Sequence, residues 1–259
     1  MNLLFIGDVV GRPGREAVKA SLADLVRQHQ VDFTIANGEN AAGGMGITSS
    51  VADELFQAGV DVLTTGNHVW RQRDAVPFIE SDHRVLRPAN YPPGTPGRGG
   101  EVFVTAHSGS IGVVNVQGRT FMHPVDCPFR AADSEIDHIR GRTNVIILDV
   151  HAEATSEKLA MGWYLDGRVS AVIGTHTHVQ TADERVLPKG TAYITDVGMA
   201  GPRDSILGVK VEPVIRRFLT GMPAKFELET GALVLNGVVV KISTETGTAL
   251  SIERVAVEV

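Results

Sequence analysis

One cysteine, Cys127, stands in a chain of 259 residues. No disulfide can form within it, and the count fits a reducing compartment. Long apolar runs are also lacking: no stretch reaches the roughly 18 uncharged apolar residues of a membrane span. The opening segment from Met1 to Asp8 has no basic n-region, and its apolar run is too short for a signal peptide. The expectation is a cytoplasmic protein with no membrane partner. Positive charge is in short supply, with 24 Lys and Arg against 30 Asp and Glu and a net charge of -6. Proteins that neutralise phosphate backbones usually carry the opposite sign, so stable binding of long nucleic acid is not expected. A small phosphorylated substrate fits this balance, because bound cations reverse the sign inside a site. The segment Gly7–Gly14 resembles a phosphate loop but lacks the Walker lysine and the dinucleotide glycine spacing, which argues against nucleotide binding by that route.

What is present is an ordinary globular balance, 43% apolar and 21% charged, in a chain long enough to bury a sizeable core. Short apolar runs recur at Leu3–Ile6, Phe33–Ala36, Asp61–Thr65, Val145–Val150, Ala171–Gly174 and Ala192–Thr195. They are bounded by Gly, Asp or Asn and mostly rich in β-branched residues, as buried strands are. Helical spacing links Val18, Leu22, Leu25 and Val26, and again Val51, Leu55 and Ala58. In the second segment Ser50 and Asp53 could form a capping box, with Gly59 as a stop. Further helices are expected over Ser156–Leu165 and from Val211 to Gly221. Strand–helix alternation implies an α/β layered fold. Asn90–Gly100, with three prolines and four glycines, reads as a loop. Glu101–Thr105, Ile111–Gln117 and Arg119–Met122 read as antiparallel strands. Lys225–Val259 reads as strands with Asn236-Gly237 as a hairpin turn and Gly247 near another. Residues 1–259 are expected to form one domain, with two packed sheets and helices outside.

The informative feature is where polar residues fall. Asp8 closely follows the first run. Gly38-Glu39-Asn40 follows the second, Gly66-Asn67-His68 the third, His151 the run ending at Val150, and His176-Thr177-His178 the run ending at Gly174. Carboxyl ends of strands in an open α/β sheet lie along one edge, where ligands bind. Singly, each residue has an ordinary explanation. Asp and Asn are favoured in turns, Glu is usually a solvated charge, and His68 beside Trp70 could be a packed histidine. The His176/His178 pair is stronger, since alternate strand residues point the same way. Together, at five strand ends, hard oxygen donors and imidazoles suit two metal ions, with one carboxylate as bridge. His29, His83, His107, His123 and His138 lack this placement and are given no metal role. Asp126-Cys127-Pro128-Phe129 could be a pocket loop in which Cys127 is structural. Asp196 resembles another strand-end residue that could simply hydrogen-bond backbone.

At these residues the sequence resembles the calcineurin-like metallophosphoesterases, and more narrowly the YmdB family of bacterial phosphodiesterases. The matching elements are Gly7-Asp8, Gly38-Glu39-Asn40, Gly66-Asn67-His68, Asp149-Val150-His151-Ala152-Glu153-Ala154-Thr155, Gly174-Thr175-His176-Thr177-His178 and Thr195-Asp196-Val197-Gly198-Met199. The resemblance implies a four-layer α/β/β/α sandwich. It implies that Glu39 bridges two ions, that Asp8, Asn40 and His178 complete one site, and that Asn67, His151 and His176 complete the other. His68 would act as general acid or phosphate-orienting residue. The implied activity is hydrolysis of cyclic nucleotides, 2′,3′-cyclic above all and 3′,5′-cyclic as a further class, by attack of a metal-bridging hydroxide. Most members of the wider superfamily have Asp-x-His where Asp8 is followed by Val9-Val10, and Asp where this chain has Glu39. Both departures are shared with the YmdB branch, and Asn40 stands in for the missing imidazole. Its oxygen favours Fe or Mn, divalent or mixed-valence, over Zn. The alternatives are a phosphomonoesterase (a nucleotidase or protein phosphatase) and a non-catalytic regulatory nucleotide-binding protein. Homo-oligomerisation is left open.

Overall fold

Leu4 and Ile6 alternate with Leu3 and Phe5 along the first strand, β1 (Asn2–Val9), and the two sets are buried in different cores. A strand apolar on both faces needs a layer on each side. The computed structural model, which describes residues 1–106 and 108–259, supplies both. After β1 come α1 (Gly11–His29), β2 (Phe33–Asn37), α2 (Ser49–Ala58), β3 (Val62–Thr64), α3 (Ala75–Ser81) and β4 (Val85–Leu86). The antiparallel pair β5 (Gly100–Val104) and β6 (Ser110–Gln117) follows, then α4 (Pro128–Arg140), β7 (Ile146–His151), α5 (Thr155–Leu165), β8 (Ala171–Thr175), β9 (Arg185–Val186), β10 (Ala192–Ile194) and β11 (Met199–Pro202). The chain closes with α6 (Val211–Thr220) and the hairpin of β12 (Leu233–Ile242) and β13 (Ala249–Glu258).

One sheet has seven strands in the order β13-β12-β11-β1-β2-β3-β4, the other six in the order β5-β6-β7-β8-β10-β9. Three apolar clusters fill the spaces between four layers. Leu4, Ile6 and Leu63 pack against Val18 and Leu22 of α1 and Leu55 of α2. Leu3, Phe5 and Ile35 meet Ile147, Ile173 and Ile194 across the gap between the sheets. Leu148 and Val172 pack against Ile136 of α4 and Met161 of α5. The α/β/β/α sandwich is therefore read directly from which residues share a core. No helix among the described residues is long and apolar enough to cross a membrane.

Several expectations are corrected. Arg119–Met122 forms no strand; the chain turns there after β6. Asn236-Gly237 is not a turn but lies inside β12, where Gly237 pairs with both Val255 and Ile6. A Cβ at Gly237 would stand 2.8 Å from the Phe5 carbonyl oxygen, so this glycine serves strand contact rather than chain reversal. Gly247, at φ 75, does lie in the loop joining β12 to β13. The cap of α2 is Thr48, whose side chain accepts from the Val51 N–H at 3.3 Å; Ser50 is already inside the helix. Gly59 ends that helix in the left-handed conformation, as its position predicts. The α3 and α4 helices were not anticipated.

Candidate metal centre

Strands β1, β2 and β3 run parallel, as do β6, β7, β8 and β10. The expected row of strand ends thus comes from two sheets, three strands of one and two of the other. Asp8 is the penultimate residue of β1 rather than a residue beyond it, and His151 is the last residue of β7. Asp8, Glu39 and His151 are fully buried and Asn40 is nearly so.

Glu39 Oε1 is the hub. It lies 3.1 Å from His151 Nε2, 3.2 Å from the Asn40 amide nitrogen and 3.2 Å from His68 Nδ1. On one side, His178 Nε2 lies 3.1 Å from the Asn40 amide and 3.7 Å from Asp8 Oδ1. On the other, His151 Nε2 lies 3.2 Å from Asn67 Oδ1 and 3.0 Å from His176 Nδ1. All seven residues expected to bind metal therefore converge, and Glu39, His151 and His176 each offer a donor atom within 4.8 Å of the others. His68 stands beside them, its Nδ1 also 2.9 Å from Asn40 Oδ1. Its side chain is 22% exposed, which leaves it open to a substrate.

The reason expected for the His176/His178 pair is corrected. Strand β8 ends at Thr175, and both histidines hold a positive φ, 97 and 64, so strand alternation does not aim them. Their loop is tied down instead. The His176 N–H donates to Asp8 Oδ2 at 3.1 Å, and the Thr177 N–H and hydroxyl donate to Asp196 Oδ2 at 3.0 and 2.7 Å. Asp196 is in turn paired with the buried Lys158. Asp196 thus does more than bond backbone, and Lys158 was missed. So was a network behind His151. Asp149 accepts from Thr175 Oγ1 at 2.8 Å and from the Asn37 amide at 3.0 Å, while Thr175 Oγ1 lies 2.8 Å from His151 Nδ1. Asn37 and Asp149 sit inside otherwise apolar strands, and that is the signal that could have exposed them: such groups are buried only with partners.

Burial works to raise the Asp8 carboxyl above its usual range, and it stays raised although His178 and His151 oppose the shift. Burial also works on Glu39, but His151 and His68 outweigh it and hold that carboxyl well below the usual range. For His151, burial disfavours the charged ring, yet Glu39 and Asp8 beside it push it up to about 9. His176, buried and next to His151, is pushed down to about 3. Asp149 is pushed up to about 6 by burial.

The donors fit cations on structural grounds. Asp8 Oδ1 is buried and accepts no hydrogen bond. Such an orphaned oxygen is costly unless something positive meets it. Gly66 keeps the centre open, because a Cβ there would overlap Glu39 Oε2 and His151 Nε2. His29, His83 and His138 lie elsewhere, on α1, beside Phe103 and on α4. His107 lies outside the described residues. His123 is no member of the cluster but lines an adjoining cavity. Asp126 and Cys127 line a separate cleft, as expected of a pocket loop, but Cys127 is a partly exposed free thiol rather than a buried structural one.

The family described as YmdB-like protein matches residues 4–255. A 2′,3′-cyclic-nucleotide 2′-phosphodiesterase of Bacillus subtilis is 52% identical over 257 residues, covering 99% of this chain and 97% of that one. The crystal structure of a phosphatase from Mycoplasma pneumoniae superposes with a TM-score of 0.93 at 35% identity, covering 100% of this chain and 93% of that one. The calcineurin-like phosphoesterase YfkN of Bacillus subtilis shares the fold alone, with a TM-score of 0.59 at 11% identity over 99% of this chain and 90% of that one. The chain belongs to the YmdB-like family and carries the calcineurin-like phosphoesterase fold.

Proposed function

We propose that this enzyme is a dinuclear metal phosphodiesterase acting on cyclic nucleotides, 2′,3′-cyclic first and 3′,5′-cyclic second, with residues 1–259 working as one domain. The observation that carries the reading is the position of Glu39. One carboxylate oxygen lies at hydrogen-bonding distance from Asn40 on one side and from His151 on the other, joining two donor sets. Asp8, Asn40 and His178 would hold one ion and Asn67, His151 and His176 the other, with Glu39 shared between them. When bound, such a pair of cations supplies positive charge for the phosphoryl oxygens and acidifies water. The relative of known activity, at 52% identity, acts on 2′,3′-cyclic nucleotides.

The chain's own residues do the rest. His68 is engaged through Nδ1 by the oxygens of Asn40 and Glu39, and with a hydrogen on both ring nitrogens its Nε2 would donate a proton to the departing ribose oxygen. Asp8, Asn40 and His178 present two oxygens and one imidazole, a set that favours Mn or Fe over Zn. The Asn40 side-chain oxygen would be its donor to an ion held there. One free thiol suits a reducing cytoplasm.

Two measurements test the reading. Elemental analysis of protein purified without chelator should give about two transition-metal ions per chain. Hydrolysis should be faster with 2′,3′-cyclic AMP than with a nucleoside monophosphate. A fully loaded protein with one ion would overturn the dinuclear site. Preference for the monoester would favour the phosphomonoesterase, and metal binding without turnover of either ester the regulatory reading.

A further inference from the structure

Among the described residues, five that are not glycine hold a positive φ. This conformation is unfavourable for L residues and clusters at functional sites. Gln30, at φ 51, ends α1. The other four are His176, His178, Leu207 and Phe121, and all four line the cavities around the metal centre. Each has a local setting. His176 and His178 belong to the loop anchored by Asp8 and Asp196, and the Leu207 carbonyl lies 3.1 Å from His178 Nδ1.

Phe121, at φ 63, is the third residue of the turn that the Met122 N–H closes on the Arg119 carbonyl at 3.4 Å, a place usually given to glycine or asparagine. It is 88% exposed, so the fold gains almost no burial from its ring. Its segment is nonetheless fixed. The Gly118 N–H donates to the His151 carbonyl at 2.9 Å, and the Arg119 and Thr120 N–H groups each donate to the Glu157 carboxylate at 3.2 Å. With Met122 and His123, Phe121 walls a cavity of about 370 Å³ whose other walls are Asn67 and His176. A strained backbone thus holds an exposed aromatic ring beside two candidate metal ligands.

We propose that Phe121 is the platform on which the base of a nucleotide substrate stacks while its phosphate occupies the metal centre. The inference rests on the cyclic-nucleotide reading and adds a residue that gives affinity for the base. A phenyl face offers stacking and no hydrogen bonds. It therefore accepts every base, with larger rings gaining more contact. Leu207, 46% exposed on the His178 side of the centre, is the rival platform, but it is aliphatic and offers no ring face.

The test compares 2′,3′-cyclic AMP with a methyl riboside 2,3-cyclic phosphate, which keeps the ring diester and lacks the base. Phe121→Ala should raise KM for cyclic AMP about tenfold to a hundredfold, the usual cost of losing one stacked base. It should leave kcat within about twofold and the base-free substrate unaffected, because stacking is retained equally in ground and transition states. Phe121→Trp should keep the wild-type KM. Equal effects on both substrates, no effect on either, or a base-selective loss at Leu207→Ala instead would overturn the proposal. Wild-type protein that turns over neither cyclic phosphate would remove the cyclic-nucleotide reading first, and this inference with it.

Discussion

Lys158 and Asp196 form an ion pair of 2.7 Å from which water is excluded, the lysine side chain being 1% exposed and the aspartate not at all. The same Nζ donates to the Thr175 carbonyl at 2.9 Å, and the same carboxylate oxygen holds Thr177 between the two histidines of the loop. The pair is a strut behind His176 and His178. Removing one partner leaves the other charge buried, at a cost of about 3–5 kcal/mol. Lys158→Met should therefore lower stability by about that much in denaturant unfolding. Lys158→Met combined with Asp196→Asn should recover a large part of it while still binding metal more weakly, since Thr177 loses an anionic acceptor. Additive losses in the double variant would show that the two residues do not act together.

Gly66→Ala should strip metal from the protein without unfolding it. The new methyl group overlaps the Glu39 and His151 side chains, so one of these must leave its position. Circular dichroism should be unchanged while metal content falls. Full metal occupancy in this variant would mean that Glu39 and His151 are not both needed as arranged.

His68 and Asn40 touch at 2.9 Å but should fail differently. His68→Ala should keep both ions and slow turnover of a ribose diester about 10²–10⁴-fold, the usual range for a lost general acid. Asn40→Ala should lose one ion selectively. An unchanged rate on the ribose diester would exclude the acid role of His68, and two tightly held ions in Asn40→Ala would reduce Asn40 to a turn residue.

Metal uptake should release protons and strengthen with pH. In the metal-free protein the His151 ring is pushed up to about 9 from 6.5. Its folded value lies above the unfolded one, so its contribution to metal-free stability is fully present below pH 6.5 and lost as pH rises through about 9. A metal takes the neutral ring and must displace that proton, so apparent affinity should rise by up to about tenfold per unit between those limits. Glu39 is held low and His176 is pushed down to about 3, so neither adds a proton in this window. Calorimetry in buffers of different ionisation heat would count the proton. Uptake with no proton released at pH 7.5 would contradict this account.

The amino-acid sequence by itself determined which residues of ligand type stand at strand ends. The apolar runs marked where strands stop, and polar residues of ligand type at or just beyond five such stops have few structural reasons to recur together. The unbroken apolar run Leu3 to Ile6 was likewise a local property, legible as a strand buried on both faces. Tertiary structure decided what depends on contacts between distant segments. Asn236-Gly237 has the composition of a turn, but approach of β1 makes Gly237 a strand residue. The His176/His178 pair looks like strand alternation, but Asp8 and Asp196, 168 and 19 residues away along the chain, hold it in a left-handed loop. Lys158 reads as one more helix lysine until α5 packs on β8 and buries it against Asp196. Burial and pairing are properties of neighbours in space, and no local pattern encodes which neighbours the fold brings.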